Sequence, residues 1–485
     1  MFNTIGAEES GEFKAVASGA LASGKPVVVN ADGTVSVVAE SSVSQSVGTS
    51  ASFHSSNTQN IFSSYDASTN RVVVAYSDPG DSDKGKAIVG TVSGTDISFG
   101  SEVVFETGST GGIAAIYDSA SEKIVIAFQD YGDSQKGKAI VGTVSGTSIS
   151  FGSVALFKNS AIGASNIAIA FDSNSNRVVV VYTDSNNSNY GTAKVGTVSG
   201  TDISFSGSND VVYESAQPNW VSITFDSTAN KVVISYADTG NSNYGTAIVG
   251  TVESAINISF GSAVVFESAN TDDTAITFDS SNSKVVILYQ DAGNSNYGTA
   301  IVGTVSGTGI SFGSPVVFEQ NTSELFVAAF NTSNNTVTVA YTSGTKGYVI
   351  AGTVSGTSIS FTTRLLFQNN GVSYITITYN STEEKSVISY RSSANNYGTS
   401  IVYTGAGTST NITSENFIGM SKGGAVADTE NATVDIIGSV NNEQSSLTAG
   451  QQYFVQNDGT IGTTADDPSV LAGTAISATK ILVKT

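Results

Sequence analysis

Short apolar runs alternate with clusters of Gly, Ser, Thr and Asn along most of the chain. In the stretch from Ala275 to Glu319, "AITFD" is followed by the polar turn "SSNS", then by "KVVILYQ", the loop "DAGNSNYG", "TAIVGTVS", "GTG" and "ISFGSPVVFE". Each apolar run has strand length and is rich in β-branched and aromatic residues, and each break carries Gly, Asn or Asp, which supply the positive φ angles of tight turns. The pattern predicts four antiparallel strands, A to D, in every copy.

The copies recur. The glycine of the "VGTV" phrase stands at Gly90, Gly142, Gly196, Gly250 and Gly303 and returns as Gly352 in "AGTV", in steps of 52, 54, 54, 53 and 49; a further step of 51 reaches Tyr403 in a degraded "IVYTGAGT". A period near 50 residues built of strands and turns is the signature of a propeller with one blade per repeat. The expected fold is all-β: a seven-bladed β-propeller over residues 48–405, inserted into a small β-rich domain formed by residues 1–47 and 406–485.

The seventh copy lacks its own strand D. The segment Gly48–Asp66, "GTSASFHSSNTQNIFSSYD", aligns without a gap on Gly261–Asp279, "GSAVVFESANTDDTAITFD". Residues 48–54 are therefore expected to pair beside the last strand C, closing a ring and hiding two sheet edges. The alternative is that "TNITSENF", residues 410–417, supplies that strand. Outside the repeats, "ALASGKPVVVNADGTVSVV" and "SLTAGQQYFVQNDGTIGTT" share the order strand, Asp-Gly turn, strand, and read as two hairpins of related design.

Composition narrows the function. There are no cysteines, one histidine and 41 acidic against 20 basic residues, for a net charge of −21. Disulfides and thiolate metal sites are excluded, and no cofactor is expected. Nucleic acid and anionic membrane surfaces are poor partners for so acidic a chain. The first residues lack a signal-peptide pattern, and no apolar run approaches the roughly 20 residues that span a bilayer, so no membrane insertion is expected.

The N-terminal "GEFKAVASGALASGKPVVVNADGTVSVV", together with the C-terminal stretch from "NFIGMSKGG" to "ATKILVK", resembles the β-rich module of structural proteins of tailed bacteriophages, particularly marine ones, of the tail-fibre or virion-structural type. The likeness covers roughly a quarter of the chain, and its motifs are simple and glycine-rich. Repeats such as "KVVISYADTGNSNYGTAIVGTV" are also similar to repeats of phage and marine bacterial sequences. The resemblance implies a virion location after synthesis in the host cytoplasm, other virion proteins as partners through the terminal domain, and association of copies on the particle. The resemblance defines no activity; the role expected of the propeller is host-surface or glycan attachment, with a non-adhesive head or tail decoration as the alternative.

Strand alternation puts the A–B and C–D turns on one face and the B–C loops and D-to-A connections on the other. The first set is nearly uniform; the second varies, as in "TGSTGG", "KNSAIGAS", "ESAQPNW", "ESANTDD", "EQNTSE" and "QNNGVS". Both links to the terminal domain are expected on the uniform face, which leaves the variable face outward. On the variable face, Trp220 and Tyr131 have no counterparts in other repeats and are ligand-binding candidates; the alternative for Trp220 is a plug beneath its loop. Tyr190, Tyr244, Tyr297 and Tyr397 of the "NSNYG" type could stack on sugar rings or pack on their own turns. The carboxylates of Asp78, Asp81, Asp83, Asp130 and Asp133 read as solvated turn formers, with calcium as the alternative, and His54 has no evident partner. Glycosidase chemistry needs paired carboxylates at a central pocket, and the innermost strands offer apolar and hydroxyl residues. A polysaccharide-degrading enzyme is thus the less favoured class, and no catalytic residues are expected.

Overall fold

The computed structural model describes residues 11–163, 167–205, 210–254 and 257–484. The chain is all-β, with only single 3-10 turns besides its strands among the described residues. It divides into two compact units, residues 45–405 and the joined ends 1–44 with 406–485. The first division falls three residues before the position read from the repeat spacing, because Ser46 and Val47 already pair with Thr404 and Tyr403.

Within unit 45–405 strands A, B and C of each repeat form as the pattern predicts. In the fifth copy Val286 of strand B lies opposite Thr277 of strand A and Val302 of strand C. Strand B is the most buried because both its faces and both its edges are covered: Val72 to Tyr76 and Val285 to Tyr289 are completely inaccessible. This is why it reads as an unbroken apolar run rather than an alternating one.

Strand D differs from the sequence reading. Instead of one strand it is two, Gly309–Phe312 and a second beginning at Val316, each paired to a different part of strand C. The break sits at the glycine of "SFGS", against the C–D turn of the next repeat. A Cβ on Gly100 or Gly313 would lie 1.9 Å from the carbonyl oxygen of Thr147 or Thr357. The D-to-A connections, read as loops, also prove more regular. Val103–Asp118, Val264–Asp279 and Val316–Asn331 each run unbroken from strand D of one repeat into strand A of the next.

Neighbouring repeats are joined by one recurring aromatic pair. The ring of strand D meets the ring of strand B in the following repeat: Phe105 with Phe128, Phe157 with Tyr182, Tyr213 with Tyr236, Phe266 with Tyr289, Phe318 with Tyr341 and Phe367 with Tyr390, at centroid distances of 5.2–5.6 Å. Such a pair contributes about 0.5–1.5 kcal/mol beyond the area it buries. Phe53 and Tyr76 make the same pair at 5.3 Å. Ala51–Asn57 is therefore the strand D of the seventh repeat. It pairs with Tyr397–Thr404, and Phe53 fills the space left by Gly398, where a Cβ would lie 2.3 Å from its ring. Residues 410–417 do not take this role; they belong to the terminal unit.

Strand A of each repeat lies against those of its neighbours, and Val372–Asn380 lies against Gln59–Asp66. There Ser63 N donates to Thr376 Oγ1 at 3.2 Å, and the Tyr65 and Thr382 hydroxyls meet at 2.7 Å. The seventh repeat has no C–D turn, since the chain leaves at Gly405 and enters at Gln45. Gln45 takes up the contacts of that missing turn, bonding through its amide to the Thr363 carbonyl at 2.5 Å and the Tyr403 hydroxyl at 3.1 Å.

The terminal unit holds two sheets of one design. In the first the order is Glu12–Val16, Asn431–Ile436, Phe417–Lys422, Pro26–Val29, Val35–Val37; in the second it is Val440–Asn441, Lys480–Val483, Leu471–Ser477, Gln452–Val455, Ile461–Gly462. The hairpin turns match: Asp32 Oδ1 accepts from Thr34 N at 3.0 Å and Asp458 Oδ1 from Thr460 N at 2.8 Å, with Gly33 and Gly459 at φ of 83° and 76°. The likeness extends beyond the hairpins to the third strand, where Gly419 and Gly473 share φ values of 153° and 157°.

Candidate functional site

The site grows from a backbone irregularity in strand A. The pairing of A with B slips by one residue in the described copies, for instance between Asn219 and Ser222 and between Asp272 and Ala275. Such a β-bulge leaves one residue unpaired and re-aims its side chain. The bulged residue is in the left-handed region each time: Asn60, Gly112, Trp220, Asp273, Leu325 and Tyr374, with φ between 47° and 57°. Each stands six positions before the Asp or Asn that ends strand A, from Asp66 and Asp118 through Asp226, Asp279, Asn331 and Asn380. The corresponding place in the third repeat, Asn166, lies outside the described residues, as does the end of "KNSAIGAS". Left-handed backbone is a genuine outlier for Trp, Leu or Tyr, so the repeat holds this geometry against the local preference of its side chain.

These residues surround one cavity of about 520 Å³, together with Ile113, Ile167, Ser373 and Arg391. It opens next to a second cavity of about 360 Å³ lined by strand A of every repeat, including Ser63, Ala115, Ile169, Ser222, Ala275, Ala328 and Thr376. The indole of Trp220 is 43% exposed and its Nε1 donates to Asp272 Oδ1 at 3.1 Å. The Trp220 carbonyl accepts from the Thr274 hydroxyl. Arg391 lies over the Tyr374 ring at 4.8 Å, and its Nε donates to Ser373 Oγ at 3.0 Å. Asp273 is half-buried; burial first, then the charges of Glu324 and Asp272, push its carboxyl up to about 6. It is the one carboxylate among the residues lining this cavity.

Of the candidates named from the sequence, only Trp220 lines the cavity. Trp220, expected to have no counterpart, has equivalents in Asn60, Gly112, Asp273, Leu325 and Tyr374, which differ so much in chemistry that only the fixed offset from the end of strand A reveals them. Tyr131, 46% exposed, sits in a B–C turn and covers Gly111, where a Cβ would lie 2.3 Å from its ring. Tyr190, Tyr244 and Tyr297 are half-buried at the start of strand C, opposite Asp184, Asp238 and Asp291. Tyr397 starts the same strand in the last repeat, opposite Asn57. The structure does not bring these tyrosines to the cavity.

The acidic B–C turns are also accounted for. Asp78 Oδ1 accepts from Gly80 N at 2.9 Å and Asp130 Oδ1 from Asp133 N at 3.1 Å, which are Asx-type caps. Their other oxygens hold lysines: Lys86 reaches Asp78 at 2.7 Å and Glu102 at 3.0 Å, and Lys138 reaches Asp130 at 2.5 Å and Asp133 at 3.2 Å. His54, which showed no partner in the sequence, lies buried between Asp78 (3.3 Å) and Glu102 (3.1 Å). Its partners lie in the first repeat, while its own strand, Ala51–Asn57, pairs with Tyr397–Thr404 of the last; the same strand D to next-repeat contact recurs as Lys158 with Asp184. Among the described residues His54, Asp78 and Glu102 are the one group with metal-ligand spacing, and Lys86 already supplies the positive charge there. Burial raises the Asp78 and Glu102 carboxyls, but hydrogen bonds from Lys86 and the charge of His54 outweigh it and hold both below the usual range.

No protein-family model matches the chain, and no curated protein matches it. The geometry of the cavity therefore carries the functional reading.

Proposed function

We propose that unit 45–405 is a closed seven-bladed β-propeller acting as a binding module, and that the cavity ringed by the bulged residues takes a host-surface glycan. The observation that carries this is the contrast within one repeat. Strands and turns are nearly invariant from copy to copy, while the single strained position facing the cavity is Asn, Gly, Trp, Asp, Leu or Tyr. A ring built of like parts gains a specific pocket by varying the residues that point into it, and a pocket of several hundred Å³ with aromatic walls and a few polar groups suits a small ligand. Exposed Trp and Tyr faces stack on the C–H faces of sugars. The presence of one lining carboxylate favours binding over hydrolysis, which uses two.

The terminal unit's likeness to phage structural modules supports a place on a tailed-phage particle, with that unit joining other virion proteins and several copies acting together. Multivalent display turns weak single contacts into firm attachment. The test is cell binding by the labelled protein. The double variant Trp220→Ala/Tyr374→Ala should keep its melting temperature within a few degrees and lose most binding to host cells. Unchanged binding by the folded variant would favour a non-adhesive decoration instead. Antibody labelling of intact particles checks the virion location.

A further inference from the structure

Among the cations of unit 45–405, Arg391 is the one that lines the cavity; Arg71 and Arg177 also have no ion pair among the described residues, but they donate to backbone carbonyls away from it. Lys86, Lys138, Lys158 and Arg364 are all neutralised by carboxylates. Arg391 has no ion pair among the described residues; it is steadied by Ser373 Oγ at 3.0 Å, by Asn57 Oδ1 at 3.4 Å and by the Tyr374 ring. In a chain of net charge −21, an arginine left without a carboxylate at a cavity is unusual. Its guanidinium presents a fixed fork that matches a carboxylate or sulfate in two parallel hydrogen bonds. Holding it flat on Tyr374 limits the entropy lost when such a group binds.

We infer that the cavity selects an anionic saccharide, with Arg391 pairing the acidic substituent and Trp220 stacking on a sugar face. This deepens the glycan-binding reading above and rests on it. Asp273 does not oppose it strongly, because its raised carboxyl carries less charge in mild acid than a free one and its protonated form donates to a sugar hydroxyl or to the acidic group itself. A pocket for a cationic ligand would instead keep its carboxylate ionised and its arginine paired.

The chain has a single tryptophan, so tryptophan emission, excited at the red edge where tyrosine does not absorb, reports this cavity. The full-length protein is titrated with trigalacturonate, a sulfated galactose disaccharide, uncharged maltotriose and a cationic chitosan trimer. One or both acidic probes should change the emission saturably, the two together telling carboxylate from sulfate, while maltotriose and the chitosan trimer bind at least tenfold more weakly. Arg391→Gln should weaken the acidic probe at least tenfold, Arg391→Lys should lose less, and Asp273→Asn should not weaken it. If maltotriose or the chitosan trimer binds as well as the acidic probes, or if R391Q and R391K both bind like the wild type, charge selection by Arg391 is overturned while glycan binding stands. If none of the four saccharides binds, glycan binding itself falls, and this inference with it.

Discussion

Trp220 shows how much one residue can be held against its own preference. At φ 53° a bulky side chain costs on the order of 1–2 kcal/mol, and Gly would relieve that strain while losing the packing of the indole and its bond to Asp272. The two effects are of similar size. Trp220→Gly is thus expected to change stability by no more than about 1 kcal/mol, read as a urea midpoint, while ligand or cell binding drops. Asp273 lends itself to a pH experiment. Its carboxyl is raised from 3.8 to about 6 in the folded chain, so the fold binds that proton more tightly than the unfolded chain does. Stability from this group is full below pH 4 and is lost as pH rises through 6. Asp273→Asn, which tolerates the same φ, should stabilise the protein at pH 8 by roughly 1–3 kcal/mol and hardly at all at pH 3.5; equal melting shifts at both pH values would contradict the assignment. The sequence names Trp220 as a candidate because tryptophan is rare and exposed aromatics are conspicuous. It hides Asp273 and Leu325, since nothing local distinguishes a bulged residue from its loop neighbours, and Arg391, a strand B residue that only the fold brings to the cavity.

Strands were far easier to read than the places where they bend. The period, the four-strand order and the role of Ala51–Asn57 follow from alternation and alignment, because each copy reports on every other. The split of strand D does not, since it is imposed by the carbonyl of the adjacent repeat, a contact between segments some 45 residues apart. The cluster around His54 belongs to this scale too. His54 and Lys86, Asp78 and Glu102 of the first repeat hold Ala51–Asn57, the strand that pairs with Tyr397–Thr404, against the first repeat. Replacing Lys86 by Met keeps the stem and leaves two carboxylates short of their cation. The cost should be about 2–3 kcal/mol at pH 7, below the range for a fully buried pair because Glu102 is partly exposed. Both carboxyls are held low, so this stabilisation is present above their unfolded values and is lost as pH falls through the folded ones. The difference between wild type and Lys86→Met, followed by urea unfolding, should accordingly shrink on acidification; a difference that grows would refute it.

The whole molecule is one design interrupted by another. The two sheets of the terminal unit repeat the same strand order, and in the second copy only a short connection, residues 463–470, runs from the hairpin to the third strand Leu471–Ser477. In the first copy the same junction carries residues 45–405, entered and left through the paired strands Glu40–Val43 and Gly407–Thr410. Val43 lies directly opposite Gly407. Joining Ser44 to Ala406 would therefore place two residues between paired strands, the length of a tight hairpin, for which Asn-Gly is the favoured sequence. The core of the unit is its own: one cluster packs Val28, Phe417, Met420, Tyr453 and Ile481, the other Leu21, Val27, Val35 and Val434. A chain of residues 1–44 and 406–485, with Asn at 44 and Gly at 406, should thus fold alone, giving a strand-type circular dichroism spectrum and one cooperative melt. Residues 45–405 expressed separately should do likewise, because Ser46 and Thr404 already pair and the strand that completes the seventh repeat stays attached. If either piece is unfolded while the intact chain is not, the units depend on each other and the insertion reading is wrong. If both fold, the variable cavity and the conserved scaffold can be exchanged independently, which is the economy a repeat array inserted at a hairpin makes available.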